Sequence, residues 1–212
     1  LRGVVCQQRA ASEITAQWQA TDDIRDRMLY FLENHDEQRI ASDFFCGDAR
    51  KALPAMMVSA WLRTNPVMVY AGQEWGERGM DHEGFSGVDG RSTIFDYWTV
   101  QAVYQGYFDR SSLGVDQRQL EADYQQILQL ANEEKALREG ELFDLMYANA
   151  PSPSFDPQRQ YAFLRKKDDE LLIVNVNFSA EQRTTQIQIP AHAFDFFHIG
   201  EGEYEGLDLL MG

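Results

Sequence analysis

The sequence has few cysteines and lacks a long apolar run. Its 212 residues include two cysteines, Cys6 and Cys46, which are far apart and match no metal-ligand spacing. Two thiols fit either a reducing compartment or a single disulfide, and of these we favour free, structural cysteines. The longest apolar stretch, around residues 55–62, is too short to span a membrane.

Positive charge is also scarce. The chain has 19 Lys and Arg against 34 Asp and Glu, a net charge of −15. Such an acidic surface repels nucleic acids and anionic membranes, so we expect neither as a partner. It suits a neutral partner such as a sugar, although solubility alone is the commoner explanation.

The start of the chain shows no signal-peptide pattern. The sequence begins at Leu1 in the middle of a pattern, so we expect a piece of a longer protein, and the compartment stays open. With 44% hydrophobic residues, the chain can bury one sizeable core or two modest ones.

The most informative stretch is a short apolar run that ends in polar residues. Residues 28–33 are typical of a strand that is buried on both faces, as in a parallel sheet. The cluster that follows lies where α/β folds place their chemistry, past the carboxyl end of a strand. This cluster contains Glu33, Asn34, His35, Asp36, Glu37 and Arg39.

A second strand of the same kind is predicted at residues 67–71, and it also runs into a polar, glycine-rich stretch that contains Glu74 and Trp75. Helices are predicted at 12–27, 49–64 and 117–139. For the helix at 49–64, Asp48 is the predicted N-cap, and Pro54 is predicted either to kink the helix or to mark the first turn of a second segment. The order βαβα indicates a parallel α/β fold.

Residues 77–116 are predicted to be an irregular but ordered loop, with its aromatic residues at 104–108 in the core. A Pro- and Ser-rich connector at 148–158 is the predicted domain boundary. Beyond it the apolar residues recur with a period of two residues. This pattern predicts a small antiparallel β domain with a hairpin turn at 166–170 and a strand at 184–189.

The polar cluster has alternative interpretations. A solvated loop in which Arg39 pairs with an acid is about as plausible as a functional site. A metal site is weaker, because a single histidine beside carboxylates lacks multi-ligand spacing. An acid/base pair of Asp36 and Glu37 is also weak, since adjacent side chains point in opposite directions if strand geometry persists.

The order of the residues resembles one family. The segment FLENHDEQRIAS is similar to the end of the seventh barrel strand of the alpha-amylase family, glycoside hydrolase family 13, and PVMVYAGQEWG is similar to the eighth strand. DYQQILQLANEEKALREGE resembles the last barrel helix, and the β segment from about 158 resembles the start of the C-terminal β domain. The resemblance covers essentially the whole chain, in the right order.

The resemblance implies a role for three adjacent residues. Asp36 corresponds to the third essential carboxylate, which grips sugar hydroxyls, and His35 would bond to the same sugar, with Asn34 beside them. Glu74, Trp75 and Arg91 are weaker substrate-binding candidates, for which internal pairing or packing is the competing role. The nucleophile and the acid/base of the family are not found, so this chain alone is expected to be inactive.

We therefore predict a partial (β/α)8 TIM barrel, its last two βα units at 1–148, followed by an antiparallel β-sandwich domain at 158–212. The implied function is part of a retaining glycosidase acting on α-linked glucans or oligosaccharides. The alternative is a non-catalytic, amylase-like module that binds sugar or protein. No cofactor is assigned to this segment, and calcium is left open for the longer protein. Unpaired strand edges predict self-association.

Overall fold

The computed structural model describes residues 1–82 and 87–211. The α-helices are α1 (Arg2–Val5), α2 (Glu13–Ala20), α3 (Leu53–Trp61), α4 (Gln101–Tyr107), α5 (Val115–Glu133), α6 (Lys135–Glu139) and α7 (Ala191–Phe197). The strands are β1 (Tyr30–Phe31), β2 (Val67–Met68), β3 (Glu141–Asp144), β4 (Gln160–Lys167) and β5 (Glu170–Asn177). Short 3₁₀ helices cover Asp22–Arg27, Ala49–Ala52, Gln73–Trp75, Arg110–Ser112 and Met146–Ala148.

Strands β1 and β2 pair in parallel, with Tyr30 opposite Val67. This confirms that the two predicted strands lie side by side in one direction. Both are shorter than predicted, and for β2 the reason is the turn that follows it. There, the Tyr70 carbonyl accepts a hydrogen bond from Gln73 N at 2.8 Å, so the backbone bonds within a turn instead of across a sheet.

The central helices follow the predicted pattern. Asp48 accepts a hydrogen bond from Arg50 N at 2.9 Å and caps the 3₁₀ turn before α3. Pro54 lies in the first turn of α3. Backbone N–H groups there have no acceptor within the helix, so the missing N–H of proline costs no helical hydrogen bond. Helix α3 packs on α5, and Trp61 Nε1 donates to the Ile127 carbonyl at 3.0 Å.

Two predicted segments need correction. The helix predicted at 12–27 is α2 followed by a separate 3₁₀ helix that begins at Asp22. The segment at 77–116 is not irregular throughout, because it contains α4 and the 3₁₀ helix Arg110–Ser112. Its residues 83–86, which include Gly84 and Phe85, lie outside the described part.

The C-terminal sheet has the order β3–β4–β5 and is antiparallel. The hairpin is confirmed: Lys167 faces Glu170 across a two-residue turn, in which Asp168 has a φ of 50°. The strand predicted at 184–189 was wrong. That segment forms hydrogen bonds with the connector, where the Asn149 side chain bonds to the backbone of Gln188. It forms no strand ladder. Helix α7 follows it, and the other sheet among the described residues is the parallel pair β1–β2, so no second antiparallel sheet completes a sandwich there.

A single hydrophobic cluster joins α2, α3, α5 and the C-terminal sheet. Asp144 on β3 accepts hydrogen bonds from Thr15 Oγ1 and Tyr161 Oη, both at 2.7 Å. The burial that accompanies these contacts raises the pKa of Tyr161. The division of the chain at 148–158 stays a prediction. Strand β3 precedes this connector and β4 follows it, and the two strands pair.

Arg165 of β4 lies inside this core and is 1% exposed. Its guanidinium donates to the carbonyls of Trp61, Leu137 and Gly140 at 2.7–3.0 Å, so it holds the carboxyl ends of α3 and α6. Burial lowers the pKa of Arg165 to about 10. These three hydrogen bonds go to backbone carbonyls at helix ends, which lack donor partners within the helix.

Candidate functional site

The segments that follow β1 and β2 meet at one edge of the parallel pair. Parallel strands end on the same side, so residues 32–39 and 69–75 are brought together. The sequence predicted two parallel strands that each run into a polar segment, and the structure brings these two segments together. The side chain that connects the two segments is Arg39.

Arg39 is 2% exposed and uses each guanidinium nitrogen for a different partner. Nη1 pairs with Glu33 Oε2 at 2.8 Å, Nη2 donates to the Ala71 carbonyl at 2.9 Å, and Nε donates to Ser92 Oγ at 2.8 Å. The guanidinium also lies 4.2 Å from the centre of the Tyr70 ring. Arg39 thus pairs with an acid, Glu33, as the solvated-loop interpretation predicted, but the pair is buried and not solvated.

Glu33 is as deeply buried as its partner, at 1% exposure. Its second oxygen, Oε1, accepts a hydrogen bond from Ile40 N at 2.6 Å. Burial raises the pKa of Glu33, and the positive charge of Arg39 opposes this effect. Each charge needs the other, because a single buried charge without its partner is costly.

The turn at 34–37 is held by its own asparagine and by a second arginine. Asn34 Oδ1 accepts hydrogen bonds from Asp36 N at 2.9 Å and from Glu37 N at 2.8 Å. Arg91 Nε donates to the Asp36 carbonyl at 2.6 Å, and Asp89 holds that guanidinium at 3.1 Å. The backbone of the turn is thus fixed from inside and from the loop opposite.

The side chains of His35 and Asp36 point outward from this fixed backbone. They are 54% and 78% exposed, and His35 Nε2 lies 3.4 Å from Asp36 Oδ2. An exposed carboxylate beside an imidazole offers acceptors and a donor for hydroxyl groups. The described residues leave this pair open to solvent and do not enclose it.

Glu74 and Trp75, the candidates after β2, have internal contacts. They lie in a 3₁₀ turn between Gly72 and Gly76, whose φ angles of 92° and 68° suit glycine. Glu74 Oε2 accepts from Gly72 N at 3.0 Å, and burial raises the pKa of Glu74. Trp75 is 4% exposed, with Tyr107 edge-on at 5.0 Å. The structure shows packing for Trp75 instead of an open ring face.

The structure adds residues that the sequence analysis did not single out. Ser92, Tyr70 and the backbone of Gly90 complete the surroundings of Arg39. The sequence signal for this arrangement was Glu33 before the polar turn and Arg39 after it, in the segment that follows an apolar strand. That signal indicates an ion pair but cannot indicate the third segment, which lies about fifty residues later in the chain.

In residues 1–82 and 87–211, no group of three or more His, Cys, Asp or Glu side chains is arranged to hold a metal ion. Over the same ranges, no helix combines the length and the apolar character that a membrane crossing needs.

The fold is similar to part of the fold of several solved structures, among them an alpha-amylase. A noncanonic maltogenic alpha-amylase AmyB from Thermotoga neapolitana superposes with a TM-score of 0.56 at 15% identity, over 84% of this chain and 35% of its own. AmyP, solved in complex with maltose, matches with a TM-score of 0.55 at 19% identity, over 82% and 35%. The gamma-CGTase of an alkalophilic Bacillus clarkii matches with a TM-score of 0.53 at 16% identity, over 85% and 22%.

The chain thus spans about a third of the length of AmyB and of AmyP, and about a fifth of that of the gamma-CGTase. No family model and no curated protein matches its sequence. At these identities the likeness concerns the fold, and it agrees with the resemblance that the motifs indicated.

Proposed function

We propose that this chain is the C-terminal part of a retaining glycosidase of the alpha-amylase type that acts on α-linked glucans or oligosaccharides. The proposal depends on one observation: the turn Asn34-His35-Asp36 is held at the carboxyl edge of a parallel strand pair, with its carboxylate exposed. The fold likeness supports this proposal, and so does maltose in the AmyP structure.

In this proposal Asp36 accepts hydrogen bonds from sugar hydroxyls, and His35 donates one to the same ring. Glycoside cleavage passes through an oxocarbenium-like transition state in which the ring flattens. Hydroxyl contacts that tighten as the ring flattens lower the barrier, because they are stronger in the transition state than in the ground state. A charged acceptor such as the Asp36 carboxylate forms stronger hydrogen bonds than a neutral acceptor does.

The nucleophile and the acid/base must come from elsewhere. A retaining mechanism needs two carboxyl groups about 5 Å apart across the scissile bond. We expect them upstream of Leu1, as a strand-end Asp followed one strand later by a strand-end Glu. If the upstream coding sequence lacks both, the non-catalytic binding module becomes the better interpretation.

The test is Asp36→Asn in the longer protein. We expect turnover of maltotriose to fall by about 10²–10³-fold, the effect typical of removing one group that stabilises a transition state. Asp43→Asn is the matched control, because Asp43 is also an exposed acid after β1 but pairs with Arg78 at 2.6 Å. Near-normal turnover by a folded Asp36→Asn variant would refute the role.

A further inference from the structure

We propose that the buried Glu33–Arg39 pair is a positioning element for Asp36 and His35, which holds both strand ends and the loop opposite in a single arrangement. This inference rests on the proposed function, because it concerns the same site. Neither residue is exposed, so neither can touch a substrate in this arrangement. Their effect on the site must pass through the backbone.

Arg39 connects three separate stretches of the chain. Its side chain bonds to Glu33 at the end of β1, to the Ala71 carbonyl after β2 and to Ser92 in the loop. Its backbone N–H donates to the Gly90 carbonyl at 2.6 Å. These stretches share no strand ladder beyond β1 and β2, so Arg39 ties their relative positions together.

The exposed turn lies between the two buried partners. Glu33 precedes Asn34 directly, and Arg39 follows Asp36 by three residues, so both ends of the turn are anchored in the core. The loop that Arg39 holds through Ser92 also contains Arg91, which bonds to the Asp36 carbonyl. Loss of the Arg39 contacts would release both the turn and the arginine opposite.

Lysine cannot replace Arg39 in this role. A guanidinium is a planar fork that donates in several fixed directions, whereas an ammonium group is a compact point charge. Arg39→Lys keeps the charge opposite Glu33 but cannot reach Ala71, Ser92 and Glu33 together. We therefore expect a folded protein with a loosened turn.

The experiment compares Arg39→Lys with Arg165→Lys in the longer protein. Arg165 is an equally buried arginine with three acceptors, but it contacts helix ends in the core and not the turn. Both substitutions are expected to lower Tm. Turnover is measured with maltotriose at a temperature where circular dichroism shows each variant folded.

For Arg39→Lys, we expect kcat to fall by about 10–100-fold, since a misplacement on the order of 1 Å costs about that much. KM should change by less than about threefold, because the lost interaction belongs to the transition state. Amide exchange at Asp36 and Glu37 should accelerate by about tenfold relative to α5, as their bonds to Asn34 open more often. Arg165→Lys should leave kcat and these two amides unchanged.

Two results would overturn the inference. One is a folded Arg39→Lys variant with wild-type kcat and unchanged exchange at Asp36 and Glu37. The other is an Arg165→Lys variant that loses as much kcat, which would make the effect one of general stability. If instead the unmodified longer protein does not turn over α-glucans, the proposed function fails, and the exchange measurement still tests the positioning role.

Discussion

At the scale of single residues, Gly106 shows how a missing side chain sets the packing beside the site. It is buried in α4, and a Cβ at this position would overlap the ring of Trp75. Trp75 therefore packs beneath α4 only because residue 106 has no side chain. The aromatic residues around it, Tyr104, Tyr107 and Phe108, are 46%, 61% and 78% exposed, so their predicted place in the core was wrong.

We expect Gly106→Ala to destabilise the protein by about 1–3 kcal/mol, the usual cost of overpacking a well-filled core. In an unhindered helix the same change would be stabilising by about 1 kcal/mol, so the sign of the effect is informative. Urea unfolding measures the free energy. Gln101→Ala, at an exposed position of the same helix, is the control and should change it by less than about 0.5 kcal/mol. A stabilised Gly106→Ala variant would contradict this packing.

At the scale of elements, the long helices and the hairpin of β4 and β5 were predictable, whereas the extents of β1 and β2 and the presence of β3 were not. The apolar stripe of α5 has the helical period over five turns, and local spacing is enough to show it. Strands β1 and β2 are two residues long, and β3 gave no alternating pattern. Their extent depends on partners elsewhere in the chain, which a local pattern does not contain.

An ion pair that joins two helical elements carries a pH dependence. Arg110 pairs with Glu121 of α5 through two hydrogen bonds of 2.9 and 2.8 Å. These bonds lower the pKa of Glu121 below its ordinary value of 4.5. A carboxyl group with a lowered folded-state pKa stabilises the fold above the unfolded pKa, and this contribution is lost as the pH falls through the folded pKa.

We therefore expect the Tm difference between the wild-type chain and Glu121→Gln to be largest near neutral pH and to shrink below about pH 4.5. Thermal unfolding followed by circular dichroism at several pH values measures it. Glu133→Gln is the control on the same helix, because Glu133 is exposed and contacts Gln129 instead of an arginine. A Tm difference for Glu121→Gln that stays constant from pH 7 to pH 3 would count against the ion pair.

At the scale of the whole molecule, the outer edge of β1 is open among the described residues. Leu29 and Phe31 are 47% and 41% exposed there, beside an apolar cavity of about 250 Å³. Unpaired strand edges with apolar side chains favour association. The net charge of −15 opposes association until salt screens it.

We expect this 212-residue chain to associate with increasing concentration, and more strongly at high salt. Sedimentation velocity measures the association, and Phe31→Lys should reduce it by placing a charge on the edge. Val115→Lys is the control, since Val115 is 84% exposed but lies at the start of α5. A monodisperse monomer with a sharp thermal transition at every concentration would be inconsistent with this expectation.

The sequence by itself determined the parallel pair of strands, the central helices α3 and α5, the hairpin of β4 and β5 and the polar turn Asn34-His35-Asp36. These features depend on local period and on adjacent residues, which the chain displays directly. Only the tertiary structure decided that Arg39 reaches Ala71 and Ser92. Such contacts join segments more than thirty residues apart, and their partners are set by how the core packs.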